Sequence, residues 1–155
     1  MNVLQRMGPR HAPRTAVAPL ERRVLATNAD AADTRRAFRA WIGAITDDDT
    51  ADDLSLAVYE ALANVVDHAY DEPPVGATAG PMSLYAIVGL PLPTGRDVVV
   101  TVTDEGRWRP MTDPGWRGRG LPLMRRLTHV TSVLTGSNGT IVQLRRRVGP
   151  DPLAN

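Results

Sequence analysis

The sequence contains no cysteine and no lysine, and each absence removes whole classes of chemistry. Without thiols there is no disulfide framework, no thiolate zinc site and no cysteine nucleophile. Without a lysine amine there is no Schiff-base chemistry and no P-loop, whose Gly-Lys-Ser/Thr places an ammonium at the phosphates. Long apolar runs are missing too: nothing approaches the roughly 20 residues that cross a bilayer. The opening MNVLQRMGPRHAPRTAVAP lacks the continuous apolar block of a signal peptide, so a cytoplasmic location with no membrane partner is expected. Nor is there an excess of one charge. Eighteen basic groups against 17 acidic ones leave +1, too little field to hold nucleic acid by neutralising phosphates.

What is present fits one globular domain: 155 residues, 43% of them hydrophobic, enough to bury a core. Residues 1–19 carry Arg6, Arg10, His11 and Arg14 among prolines with no acidic residue and no periodicity, and are expected to form a disordered tail. The domain then spans 20–148, with a short tail at 149–155. From Glu21, ERRVLAT reads as a strand, and ADAADTRRAFRAWIGAI sets Ala37, Phe38, Trp41, Ile42 and Ile45 at helical spacing. Thr46-Asp-Asp-Asp-Thr-Ala-Asp-Asp is a run of capping residues. Within it Thr50-x-x-Asp53 resembles a capping box ahead of LSLAVYEALANVVDHAY. Carboxylates there are favoured by the helix dipole and need no metal.

Leu54, Ala57, Val58, Ala61, Leu62, Val65 and Val66 give that helix a broad apolar stripe, which makes it a central, largely buried element. MSLYAIVGL and DVVVTVTD follow as a hairpin, then an aperiodic stretch 105–118, then GLPLMRRLTHV as a helix with Leu121, Met124 and Leu127 inward. The strands TSVLTG and TIVQLRRR meet at Ser137-Asn138-Gly139, a strong turn signal. Elements in this order predict an α+β two-layer sandwich, a mostly antiparallel mixed sheet with helices over one face.

Four features could carry chemistry. Glu60, Asn64 and His68 recur every four residues on the apolar helix, each displaced about 40° from the last. Either they form its solvent face or they line a ligand, because polar groups buried without partners are costly. Asp104 ends a valine-rich strand and is followed by Gly106, which permits a turn or close approach of a ligand. Gly118-Arg119-Gly120-Leu121 stands directly before a helix, where free backbone N–H groups attract phosphate. Gly139-Thr140 opens the last strand.

In order and spacing these features resemble the boxes of the GHKL (histidine kinase-like) ATPase superfamily. YEALANVVDHAY resembles the N box, TDEGRW and GRGLPLMRRL the two glycine boxes, and GTIVQL the closing Gly-Thr segment. The short length and the His-Ala-Tyr ending of the N box are most similar to the anti-sigma-factor serine/threonine kinase branch. The resemblance implies a Bergerat-type fold that binds ATP and Mg²⁺, with Asn64 coordinating the metal through its side-chain oxygen. It implies Glu60 as general base, Asp104 as acceptor from the adenine amino group with Thr140 beside it, and Gly106 as the room left for the base. Gly118, Gly120 and Leu121 would hold the phosphates, with Arg117 or Arg119 supplying positive charge. The implied partners are a sigma factor and an anti-sigma-factor antagonist, the latter phosphorylated on serine, and the implied assembly is a homodimer.

Two departures support an alternative, a non-catalytic or degenerate interaction module. Trp108 stands where the first glycine box has a second glycine, and the lid stretch from Asp104 to Gly118 is short, with Pro110, Pro114 and Trp116 in it. No phosphoacceptor-histidine segment stands ahead of the N box, so a complete sensor kinase is not expected.

Overall fold

The computed structural model describes residues 17–70, 79–107 and 119–149. Most of the N-terminal tail, nearly all of the C-terminal tail, the lid stretch with Trp108 and Trp116, and both Arg117 and Gly118 lie outside them.

The chain runs β1 (Leu20–Leu25), α1 (Asn28–Gly43), α2 (Asp48–His68), β2 (Pro81–Val88), β3 (Arg96–Asp104), α3 (Gly120–Leu127), β4 (Val130–Gly136) and β5 (Gly139–Val148). The strands form one sheet in the order β1-β2-β3-β5-β4, and every pairing among the described residues is antiparallel. The predicted β2–β3 hairpin forms, with Met82 opposite Asp104 and Val88 opposite Val98. No parallel pair accompanies these among the described residues, so the sheet is more uniform than the mixed one expected.

Both long helices begin on a capping side chain. Thr27 caps α1, its Oγ1 accepting from Asp30 N at 3.1 Å. For α2 the cap is Asp47, upstream of the predicted Thr50: its Oδ1 accepts from Thr50 N at 2.8 Å. That contact satisfies a free first-turn N–H, and Asp48 and Asp49 then occupy the first turn, where the dipole favours negative charge. The amide of Thr50 holds the Asp47 carboxyl below its usual range.

The period of two along each strand sorts the sheet into two faces. Val98, Val100 and Val102 of β3 and Val142 and Leu144 of β5 are buried and pack toward α2, which also contacts α1 and α3. Phe38, Ile42, Leu54, Leu62, Leu84 and Met124 complete this core. Trp41 is half-buried beside Phe38 and donates its indole N–H to Ala18 O at 2.9 Å. The other sheet face is open, with Tyr85, Leu134 and Ile141 exposed. The alternation matters for function: Asp104 continues the inward set of β3, and Thr140 the inward set of β5. Two polar residues therefore end up at the margin of the core.

Arg146 also belongs to the inward set. Its Nη1 donates to Asp53 Oδ2 of α2 and to Leu127 O at the end of α3, both at 2.9 Å. The second contact satisfies a carbonyl that a short helix leaves without an intrahelical partner. One guanidinium thus joins β5 to both helices that frame the site. Arg146→Ala is expected to lower stability by about 1–2 kcal/mol. The check is urea unfolding, with a lower midpoint and an unchanged slope.

Candidate functional site

Helix α2 supplies one wall of a cavity of about 340 Å³ between the helical layer and the sheet. Asn64 and His68 line it, so this part of the polar line of the helix faces a partly open cavity. Glu60 is not in the lining but stands beside it, half-buried. The contact that assembles this corner is with Gly120, the first residue of α3. A Cβ there would lie 3.0 Å from Glu60 Oε2 and 3.5 Å from Asn64 Oδ1. With only hydrogen at that position, the start of α3 approaches both side chains closely. Arg119 is the N-cap residue of α3, and its side chain does not cap the first-turn amides of this helix.

Asp104 is only 8% exposed. Its Oδ1 accepts from Gly106 N at 2.9 Å and from Thr140 N at 3.2 Å, and the Thr140 hydroxyl adds a further hydrogen bond to the carboxyl. Burial pushes the Asp104 carboxyl above its usual range, partly offset by the hydrogen bonds from Gly106 and Thr140. Gly139 makes the second of those bonds possible. Its φ is +127°, and a Cβ on it would fall 1.9 Å from Asp104 O. Any side chain there would push the β4–β5 turn away from β3.

The remaining lining is largely apolar: Val65, Ala69, Leu121, Met124, Val133 and Val142. An apolar slot holding one buried carboxylate and a few polar groups suits a flat ring that donates a hydrogen bond from its edge. For metal, the Asn64 amide oxygen and the Glu60 carboxylate are close together at Gly120. Among the described residues, no group of three or more His, Cys, Asp or Glu side chains is placed to hold a metal ion. That donor set fits a hard divalent cation carried in on phosphate oxygens and water, not a cage built by protein.

The structure therefore brings Asn64, Asp104, Gly120, Leu121 and Thr140 to one cavity, with Glu60 adjoining. Gly106 lies outside the lining. A Cβ on it would instead meet Ala69 O at 1.9 Å, so its small size lets the turn after β3 close onto the end of α2. His68, expected as a structural or hydrogen-bonding residue rather than a catalyst, also lines the cavity. Thr135 was missed, although the turn at Ser137-Asn138 pairs Gly136 with Gly139 and so places Thr135 opposite Thr140.

The family model for the histidine kinase-like ATPase domain matches residues 24–146. Among solved structures the chain is similar to the RsbU and RsbW domains of Rv1364c from Mycobacterium tuberculosis. The two are 23% identical over 86% of this chain and 33% of that one, with a TM-score of 0.64. It is also similar to the histidine kinase domain of Erythrobacter litoralis EL346 blue-light activated histidine kinase, 23% identical over 81% and 62% of the two chains, with a TM-score of 0.47. The Mycobacterium tuberculosis structure shares the fold, and the present chain spans about a third of its length.

The buried carboxylate has a consequence for stability. Its folded value is raised, so the folded chain holds a proton more tightly than the unfolded chain does. Stability is thus lost as pH rises from the ordinary carboxylate range, about 4, through the folded value. Asp104→Asn keeps an acceptor for the Gly106 and Thr140 amides and removes the charge. The variant is expected to melt above the native chain at pH 7, with the gap narrowing toward pH ~4. Thermal unfolding across that range checks this, and equal melting temperatures at pH 7 contradict it.

Proposed function

Because the chain belongs to the histidine kinase-like ATPase domain family, we propose that it binds ATP with Mg²⁺ in this cavity and transfers the γ-phosphoryl group to a serine or threonine of a partner protein. The meeting of Glu60, Asn64 and Gly120 beside a cavity that also contains the buried Asp104 supports this best. The adenine amino group would donate to the Asp104 carboxylate, with Thr140 alongside. First-turn amides of α3 and the guanidinium of Arg117 or Arg119 would face the phosphates. Asn64 would hold Mg²⁺, which when bound neutralises charge on the triphosphate oxygens.

Glu60 is the group suited to the proton. As the hydroxyl oxygen of the acceptor bonds to the γ-phosphorus, its proton passes to the Glu60 carboxylate. The bond between γ-phosphorus and the bridging oxygen breaks, and ADP leaves with that electron pair. In the anti-sigma-factor branch the acceptor is an anti-sigma-factor antagonist, and the same protein, as a homodimer, sequesters a sigma factor. Support for that branch comes from the His68-Ala69-Tyr70 ending of the N box and the short length. The fold shared with a structure containing an RsbW domain is compatible with it. Trp108 and the short lid favour a second reading, in which nucleotide is bound without transfer and only fixes a partner-binding surface.

Two measurements separate these readings. Equilibrium ATP binding is expected to require Mg²⁺ and to weaken at least about tenfold in Asn64→Ala, or 1.4 kcal/mol and more. Absence of binding at millimolar ATP rejects the kinase reading and leaves a degenerate interaction module. Radiolabel transfer to a co-purified antagonist is expected to fall by about 10²–10⁴ in Glu60→Ala. Binding with no transfer by the native chain leaves the non-catalytic module. Equal labelling by the two forms removes Glu60 from the role of base.

A further inference from the structure

Tyr70 follows the last turn of α2 and lies outside the cavity lining, yet it is joined to both ends of the segment that presents Asp104. Its hydroxyl donates to Pro81 O at 2.5 Å and accepts from Glu105 N at 3.0 Å. Its ring packs on Gly80, where a Cβ would come within 2.0 Å of Tyr70 Cε1. Two backbone contacts accompany it: Arg107 N donates to Ala69 O at 2.8 Å, and Gly106 sits against the same carbonyl. The turn after β3 is therefore docked on the end of α2, and Tyr70 supplies the side-chain part of that docking.

The geometry matters because Asp104 cannot orient itself. Its Oδ1 is held by the amide of Gly106, two residues on, and that amide points back only while the intervening Glu105 peptide stays in place. The Tyr70 hydroxyl holds the amide of Glu105. A phenol suits the task because it can give one hydrogen bond and receive another at the same oxygen. Burial pushes the Tyr70 phenol above its usual range, so the proton shared with Pro81 stays in place at neutral pH.

We propose that Tyr70 is a positioning residue that sets Asp104 for the amino-bearing edge of the purine, and so tunes base discrimination rather than phosphate binding. The inference rests on the ATP reading above. It gives the last residue of the N box a task distinct from those of Glu60 and Asn64. The residues assigned to phosphate and metal meet where Gly120 approaches Glu60 and Asn64, and the Tyr70 hydroxyl bonds to none of them.

The test compares ATP with purine riboside 5′-triphosphate, which lacks the amino group, by calorimetric titration of the full chain and of Tyr70→Phe. Phenylalanine keeps the ring against Gly80 and removes both hydrogen bonds. In the variant, ATP affinity is expected to fall about fivefold to tenfold while affinity for the analogue changes less than about twofold. A parallel fall for both nucleotides marks Tyr70 as merely structural and overturns the proposal, as does an unchanged ratio. If the native chain does not itself prefer ATP to the analogue, the adenine reading falls and takes this one with it, an outcome distinct from the first two. Should Tyr70→Phe not fold, amide hydrogen exchange in the native chain decides. Glu105 and Gly106 are expected to be protected by ATP and not by the analogue, and equal protection by the two overturns the role.

Discussion

A carboxylate that is 8% exposed must be met by hydrogen-bond donors, since desolvation otherwise drives it to neutrality. For Asp104 the donors are backbone amides from two separate places in the chain, Gly106 just beyond its own strand and Thr140 at the start of β5. Much of the architecture serves to keep those amides on target. The β3–β5 pairing places Thr103 opposite Ile141, Gly139 lets the turn reach Asp104, and the end of α2 holds the turn that carries Gly106. The strand pattern that buries Val98, Val100 and Val102 is the same pattern that aims Asp104 inward. One alternation therefore builds the core and supplies the polar group that faces the cavity.

The helical side of the site depends on a close approach instead. Asn64 and Glu60 become neighbours of α3 because Gly120 has no side chain. The position of α3 is in turn fixed from its other end, where Arg146 holds the Leu127 carbonyl. Packing of Met124 into the core secures the middle of the helix. On the proposed reading, phosphate and metal binding on this side would need a rigid short helix, and base recognition on the other a rigid turn. Different contacts secure the two halves, so a change in one can leave the other intact.

Local periodicity was enough to read most of the fold. Eight elements and the hairpin turns follow from alternation, helical spacing and Gly/Asn/Pro signals, because those patterns report burial directly. The failures share a cause, which is dependence on distant partners. In the run from Thr46 to Asp53 several residues can cap a helix, and it is Asp47 rather than Thr50 that does so. Gly106 reads locally as room for a ligand, and the close approach of the Ala69 carbonyl gives its small size a second reason that only the tertiary structure shows. The line of Glu60, Asn64 and His68 could have faced solvent on periodicity; only the docking of α3 turns it toward a cavity. Tyr70 marks the end of the N box in sequence, but its link to the turn after β3 is invisible until Pro81 and Glu105 converge on its hydroxyl.

The arrangement also explains why the site is costly to the fold that carries it. Burial raises the Asp104 carboxyl, and its charge at neutral pH is a strain that the two amides offset only in part. An apolar residue at that position would fill the margin of the core without this penalty, but would leave the Gly106 and Thr140 amides without an acceptor. Retaining the carboxylate makes sense when a ligand supplies the missing donor, because the bound state then satisfies what the free chain leaves open. On the proposed reading, a donor-bearing ring would relieve that penalty, and nucleotide occupancy would be coupled to the order of the α2 end, the turn after β3 and the β4–β5 hairpin.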